Sequence, residues 1–114
     1  MTVQEIADAL GMKCAAGSQG MNRDVTSGYA SDLLSDVMGH AAEGAIWVTN
    51  QVHQNVVAVA LLLNLSAVVI AGGLELMEDA AEKADARGMP MLATSSPAFE
   101  VVGRLYKLGV RGKV

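Results

Sequence analysis

A chain of 114 residues, 52% hydrophobic and 18% charged, holds enough apolar material for one continuous core and leaves no room for a second, so residues 1–114 are read as one module. A formal charge of −4, with basic residues scattered until the tail Arg104, Lys107, Arg111 and Lys113, excludes the dense positive surface that nucleic-acid binding needs. A single cysteine, Cys14, excludes an internal disulfide and an all-cysteine metal site.

Mean hydropathy is +0.34, high for a small domain, so some apolar area is expected outside the core and self-association is its natural outlet. Met1–Leu10 carries Glu5 and Asp8 and no long apolar run, which argues against a signal peptide and for a cytoplasmic location. Val56–Gly73 has the length of a membrane span. Asn64 and Ser66 interrupt it and Gly72-Gly73 ends it, so it reads as a buried helix followed by a buried strand, with no membrane partner.

In chain order, Thr2 and Glu5 form a capping box for a first helix that Gly11 stops. Met12–Ala16 is a short strand, Gly17–Gly20 a turn, and Asp24–Ala30 a strand whose Gly28 suggests close approach of another backbone. Asp32 or Ser31 caps a helix through Leu33, Leu34, Val37 and Met38 that ends near Gly44. Ala45–Thr49 is a strand, and Asn50 or Gln51 opens a helix that is apolar on every side from Val56 to Leu63. Ser66–Ala71 is a β-branched run of the buried parallel type. An amphipathic helix over Leu74–Arg87 closes at Gly88, Met91–Thr94 is a strand, and Pro97 precedes a last helix, Phe99–Leu108, before a frayed tail, Gly109–Val114. Strands alternating with helices predict an α/β three-layer sandwich with a mostly parallel sheet.

Candidate chemistry is sparse. Gly72-Gly73, between a buried strand and a helix, could offer backbone N–H groups to an anion, and Thr49, Asn50, Gln51 and His53 at the neighbouring strand end are expected to share its crevice. Turn geometry and helix capping explain the same residues without a ligand. His40 and His53 lack metal-ligand spacing, and Asp36 sits one turn before His40 as a surface pair. Cys14 is read as a small buried thiol. No Ser sits in a nucleophile elbow, and no phosphate-binding loop is present, so no catalytic residues, metal or cofactor are expected. Tyr29, Trp47, Val56 and Val59 are candidates for a two-fold interface.

The segments DVTSGYASDLLSDVM (24–38), IWVTNQVHQNVVAVA (46–60) and SAVVIAGG (66–73) resemble the DRTGG domain family. The resemblance covers almost the whole chain. It is strongest to stand-alone members similar to the N-terminal domain of HPr kinase/phosphorylase, often encoded near iron-only hydrogenases. It implies that fold and a non-catalytic, ligand-sensing or dimer-forming role, with a small anionic or nucleotide-like ligand and a partner enzyme. Alternatives are a serine-kinase-like phosphotransferase or a hydrogenase accessory protein acting through protein contacts. The family's acidic-basic pair falls on Val52-His53 and its Thr-Gly-Gly on Ala71-Gly72-Gly73, so both glycines are kept while the acid, the arginine and the threonine are absent.

Overall fold

The computed structural model describes residues 1–113. The capping box forms as expected: the Thr2 hydroxyl accepts from Glu5 N–H at 3.1 Å, and the Glu5 carboxylate accepts from Thr2 N–H at 2.8 Å. These bonds hold the Glu5 carboxyl below the usual carboxylate range and start α1 (Val3–Leu10), which Gly11 closes in the left-handed conformation.

Five strands follow: β1 (Lys13–Ala16), β2 (Ser27–Ala30), β3 (Ala45–Thr49), β4 (Ala67–Ile70) and β5 (Met91–Ala93). They lie in the order β1-β5-β4-β3-β2, with β2 to β5 parallel and β1 antiparallel to β5. The remaining helices are α2 (Leu34–His40), α3 (Gln54–Leu62), α4 (Glu78–Arg87) and α5 (Ala98–Leu108). Each βαβ step moves to the next strand in the same direction, and right-handed crossovers then put every connecting helix on one face. Accordingly α2, α3 and α4 pack with Ala45, Trp47, Val68 and Ile70 on one side of the sheet. The alternate residues Ile46, Val48, Ala67 and Val69 face α1 and α5 on the other. The result is the expected three-layer sandwich.

The apolar α3 lies between α2 and α4 with the sheet beneath it, which buries Val56, Val57, Val59 and Ala60 and leaves Leu62 exposed. Val56 is 0% exposed and Val59 7%, and Trp47 is 0% exposed with its indole N–H donating to Ser31 O at 2.8 Å. These three expected interface residues therefore belong to the interior and present no surface to a second copy. Tyr29, the fourth, is half-buried.

Three other expectations change. The Leu74–Arg87 helix begins only at Glu78, because Gly72 N–H and Gly73 N–H bond to Ser96 O at 2.8 Å and Thr94 O at 2.9 Å, drawing the segment across the sheet end before it coils. Cys14 is exposed, since β1 is an edge strand; its thiol donates to Ala16 O at 3.2 Å, and partial burial still pushes its pKa up. The tail is anchored and not frayed through Arg111, whose carbonyl accepts from Gly28 N–H at 2.9 Å. Val114 lies outside the described residues.

Gly17 does more than make the turn that its sequence predicts. With φ at 74°, it sits so close to β5's entry that a Cβ would meet Met89 O at 1.8 Å.

Candidate strand-end site

The carboxyl ends of β2, β3 and β4 come together on one rim, the place where open α/β sheets receive ligands. The organiser is Asp32, which follows β2. One carboxylate oxygen accepts from the Thr49 hydroxyl at 2.8 Å and from Asn50 N–H at 2.9 Å. The Asn50 side-chain amide, oriented to donate, lies 3.0 and 3.2 Å from the two carboxylate oxygens. Gln51 completes the knot: its backbone N–H donates to the Thr49 hydroxyl at 3.2 Å and its side chain to Asp32 O at 3.3 Å.

This network corrects the expected caps. Asp32 does not cap α2, which starts after Leu33 with no side-chain cap; Ser31 Oγ accepts from Leu33 N–H at 3.1 Å instead. Neither Asn50 nor Gln51 caps α3. That role falls to His53, whose Nδ1 accepts from Asn55 N–H at 3.1 Å, so the proton of the neutral ring sits on Nε2.

Ala71 N–H donates to Thr49 O at 2.9 Å, which sets Gly72 and Gly73 beside the β3 end. Both glycines take positive φ, 78° and 74°, as their turn requires. Their N–H groups are already spent on Ser96 O and Thr94 O, so the turn forms no anion cradle, and the first turn of α4 carries Glu78 and Asp79, which repel an anion. Side chains are what the rim presents to solvent: Asn50, Gln51 and His53 are exposed, while Thr49 is buried beneath them. These four and the glycines share one rim, as their positions in the sequence predict, whereas Asp32, Thr94 and Ser96 join them only in the fold. The one sequence signal for Asp32 is an acidic residue just past a strand, which local capping explains equally well.

A second polar cluster lies on α2. Tyr29 OH donates to Asp36 with both carboxylate oxygens at 3.0 Å, and His40 Nδ1 is 3.0 Å from Asp36 Oδ1. The tyrosine and histidine rings stack at 6.4 Å and 15°. Hydrogen bonds from the Ser31 and Tyr29 hydroxyls hold Asp36 below the usual carboxylate range, whereas desolvation and the neighbouring carboxylate push Tyr29 up. Among the described residues no three His, Cys, Asp or Glu side chains gather as a metal site.

A mostly parallel five-stranded sheet sandwiched between helices, with a satisfied polar knot at its strand ends, makes this an α/β domain. The chain matches the DRTGG domain family over residues 5–108 and belongs to it. In fold it is similar to the CBS and DRTGG domains of the regulatory region of Clostridium perfringens pyrophosphatase, solved with the activator diadenosine tetraphosphate. The TM-score is 0.72 at 16% identity, over 90% of this chain and 44% of that one. The chain thus spans less than half of that regulatory region. No curated protein matches it in sequence. Among the described residues, no helix is long and apolar enough to cross a membrane.

Proposed function

We propose that this domain is a non-catalytic regulatory module that senses a small nucleotide-like ligand and acts as a homodimer on a partner protein. The observation that carries the reading is the rim: Asp32, Thr49, Asn50 and Gln51 tie two strand ends into a preorganised polar surface with Asn50, Gln51 and His53 turned to solvent. Membership of the DRTGG family supports it, as does likeness in fold to a regulatory region that binds a dinucleotide polyphosphate. A ligand on the rim is met by side-chain amides and imidazole and not by the glycine N–H groups.

With Trp47, Val56 and Val59 buried, the surface that supports a dimer is on α5. Phe99, at the start of this helix, is 86% exposed, and Gly103, one turn on, is open beside it.

The test is a thermal-shift panel of nucleotides and small anionic metabolites, run with light scattering. Stabilisation by a nucleotide and a two-chain mass support the reading. A strict monomer at micromolar concentration overturns the dimer, and a panel without a stabilising compound overturns the sensing role.

A further inference from the structure

We propose that the edge of β2, the α5 residues Val102 and Tyr106 and the tail 110–112 form a binding slot for an adenine-type base carrying an anionic group. The proposal rests on the preceding reading only for the broad class of ligand; the site is a different one.

The slot is a cavity of about 220 Å³ lined by Gly28, Tyr29 and Ala30 of β2, Val102 and Tyr106 of α5, and Arg111 of the tail, among others. Drug-sized ligands occupy roughly 300–1,000 Å³, so this space suits one fused ring system and excludes a dinucleotide. Its walls are mostly apolar. Val110 closes one side, and Gly28 permits that closure, since a Cβ there would stand 3.0 Å from Val110 Cγ1.

Polar recognition comes from the backbone. Gly28 N–H points outward to Arg111 O, whereas Ser31 N–H points inward to Val48 O. Alternate residues of a pleated strand share a side, so Gly28 C=O and Ala30 N–H also face outward, and among the described residues no loop or tail backbone group bonds to either. An acceptor at residue 28 beside a donor at residue 30 is the complement of a ring nitrogen next to an exocyclic amine. That is the Watson–Crick edge of adenine. With the phosphate held at Arg111 the base keeps one orientation, in which hypoxanthine and guanine, with a ring N–H beside a carbonyl, set donor against donor and acceptor against acceptor.

Charge is supplied at the mouth. The Arg111 guanidinium lies 3.7 Å above the Tyr106 ring, and its Nη1 donates to the carbonyls of Tyr106 and Val110. One nitrogen thus fixes the group in place while the rest of its donors remain for an anion. Lys107 in the last turn of α5 adds positive charge in a chain whose net charge is −4.

The test is titration of the ¹⁵N-labelled chain with AMP, IMP, adenosine and ribose 5-phosphate, followed by amide shifts. AMP is expected to move Gly28, Ala30 and Arg111 resonances and to bind at least about tenfold more tightly than IMP, the worth of one mismatched hydrogen bond. Ala30→Pro removes the donor and leaves the β2–β3 ladder whole, because an edge strand tolerates proline where its N–H faces out; AMP binding should fall about tenfold. Arg111→Gln should erase the preference for AMP over adenosine and leave adenosine unchanged. Equal binding of AMP and IMP, or ribose 5-phosphate matching AMP, overturns the base-edge proposal. Shifts confined to Asn50–His53 overturn this slot and leave the sensing role intact, and no response to AMP at millimolar concentration overturns the slot alone if another compound of the panel binds.

Discussion

The Asp32 carboxylate and the buried Thr49 hydroxyl, 17 residues apart in sequence, meet at 2.8 Å and join the carboxyl ends of two adjacent parallel strands. Thr49 is 1% exposed, so its hydroxyl has no water to turn to if the partner is lost. Asp32→Ala is expected to cost about 1–3 kcal/mol, against about 1 kcal/mol for Thr49→Val, which removes the polar group along with its bond. Denaturant unfolding of the two single variants and the double variant measures the coupling. Additive losses would show that the pair contributes nothing as a pair.

Two glycines of similar φ should respond very differently to alanine. Gly17→Ala would drive a Cβ into Met89 O and is expected to cost about 3 kcal/mol or more, because backbone must move. Gly72→Ala meets nothing within 4 Å and carries only the left-handed penalty of about 1–2 kcal/mol. Thermal unfolding of both variants ranks them, and the reverse order would refute the packing argument.

Acid sensitivity should trace in part to Asp36. Its folded pKa lies below the unfolded one, so the unfolded chain binds the extra proton and stability rises with pH across that interval. The contribution is fully present above about pH 4 and disappears as pH falls through the depressed folded value. Asp36→Asn should flatten this limb of a stability–pH profile, and Tyr29→Phe should flatten it less, since the Ser31 hydroxyl remains. An unchanged slope below pH 4 would remove Asp36 from the account.

Self-association should be sensitive to α5 and insensitive to the strand-end rim. Phe99→Asp is expected to give a folded monomer, because Phe99 is 86% exposed and supports nothing inside the chain. Val56→Asp, by contrast, should unfold the protein, since it buries an unpaired charge under α3. Sedimentation with circular dichroism distinguishes the two outcomes. A Phe99→Asp variant that remains dimeric rules α5 out.

Local signals in the chain were sufficient for the elements and their layering. The Thr2 capping box, the helix-ending Gly11 and Gly88, and the β-branched run before Gly72 each act within a few residues, so periodicity and capping chemistry predict them. Alternation of strands and helices then restricts the topology through crossover handedness. The local reading failed where a residue had both a near and a distant partner. Asp32 was assigned to the adjacent helix and bonds Thr49 instead; Asn50 was assigned to α3 and lies against Asp32; Val56 and Trp47 were assigned to a surface and are enclosed by α2, α4 and the sheet.

By itself the sequence determined the sandwich, the positive-φ turns and the family resemblance, since these follow from short-range sterics and a repeated hydrophobic pattern. Only the tertiary structure decided which polar groups were already satisfied, which apolar face was left over on α5, and that the tail closes against the β2 edge. Those outcomes depend on distances between segments far apart in the chain, and competition among partners is settled by packing.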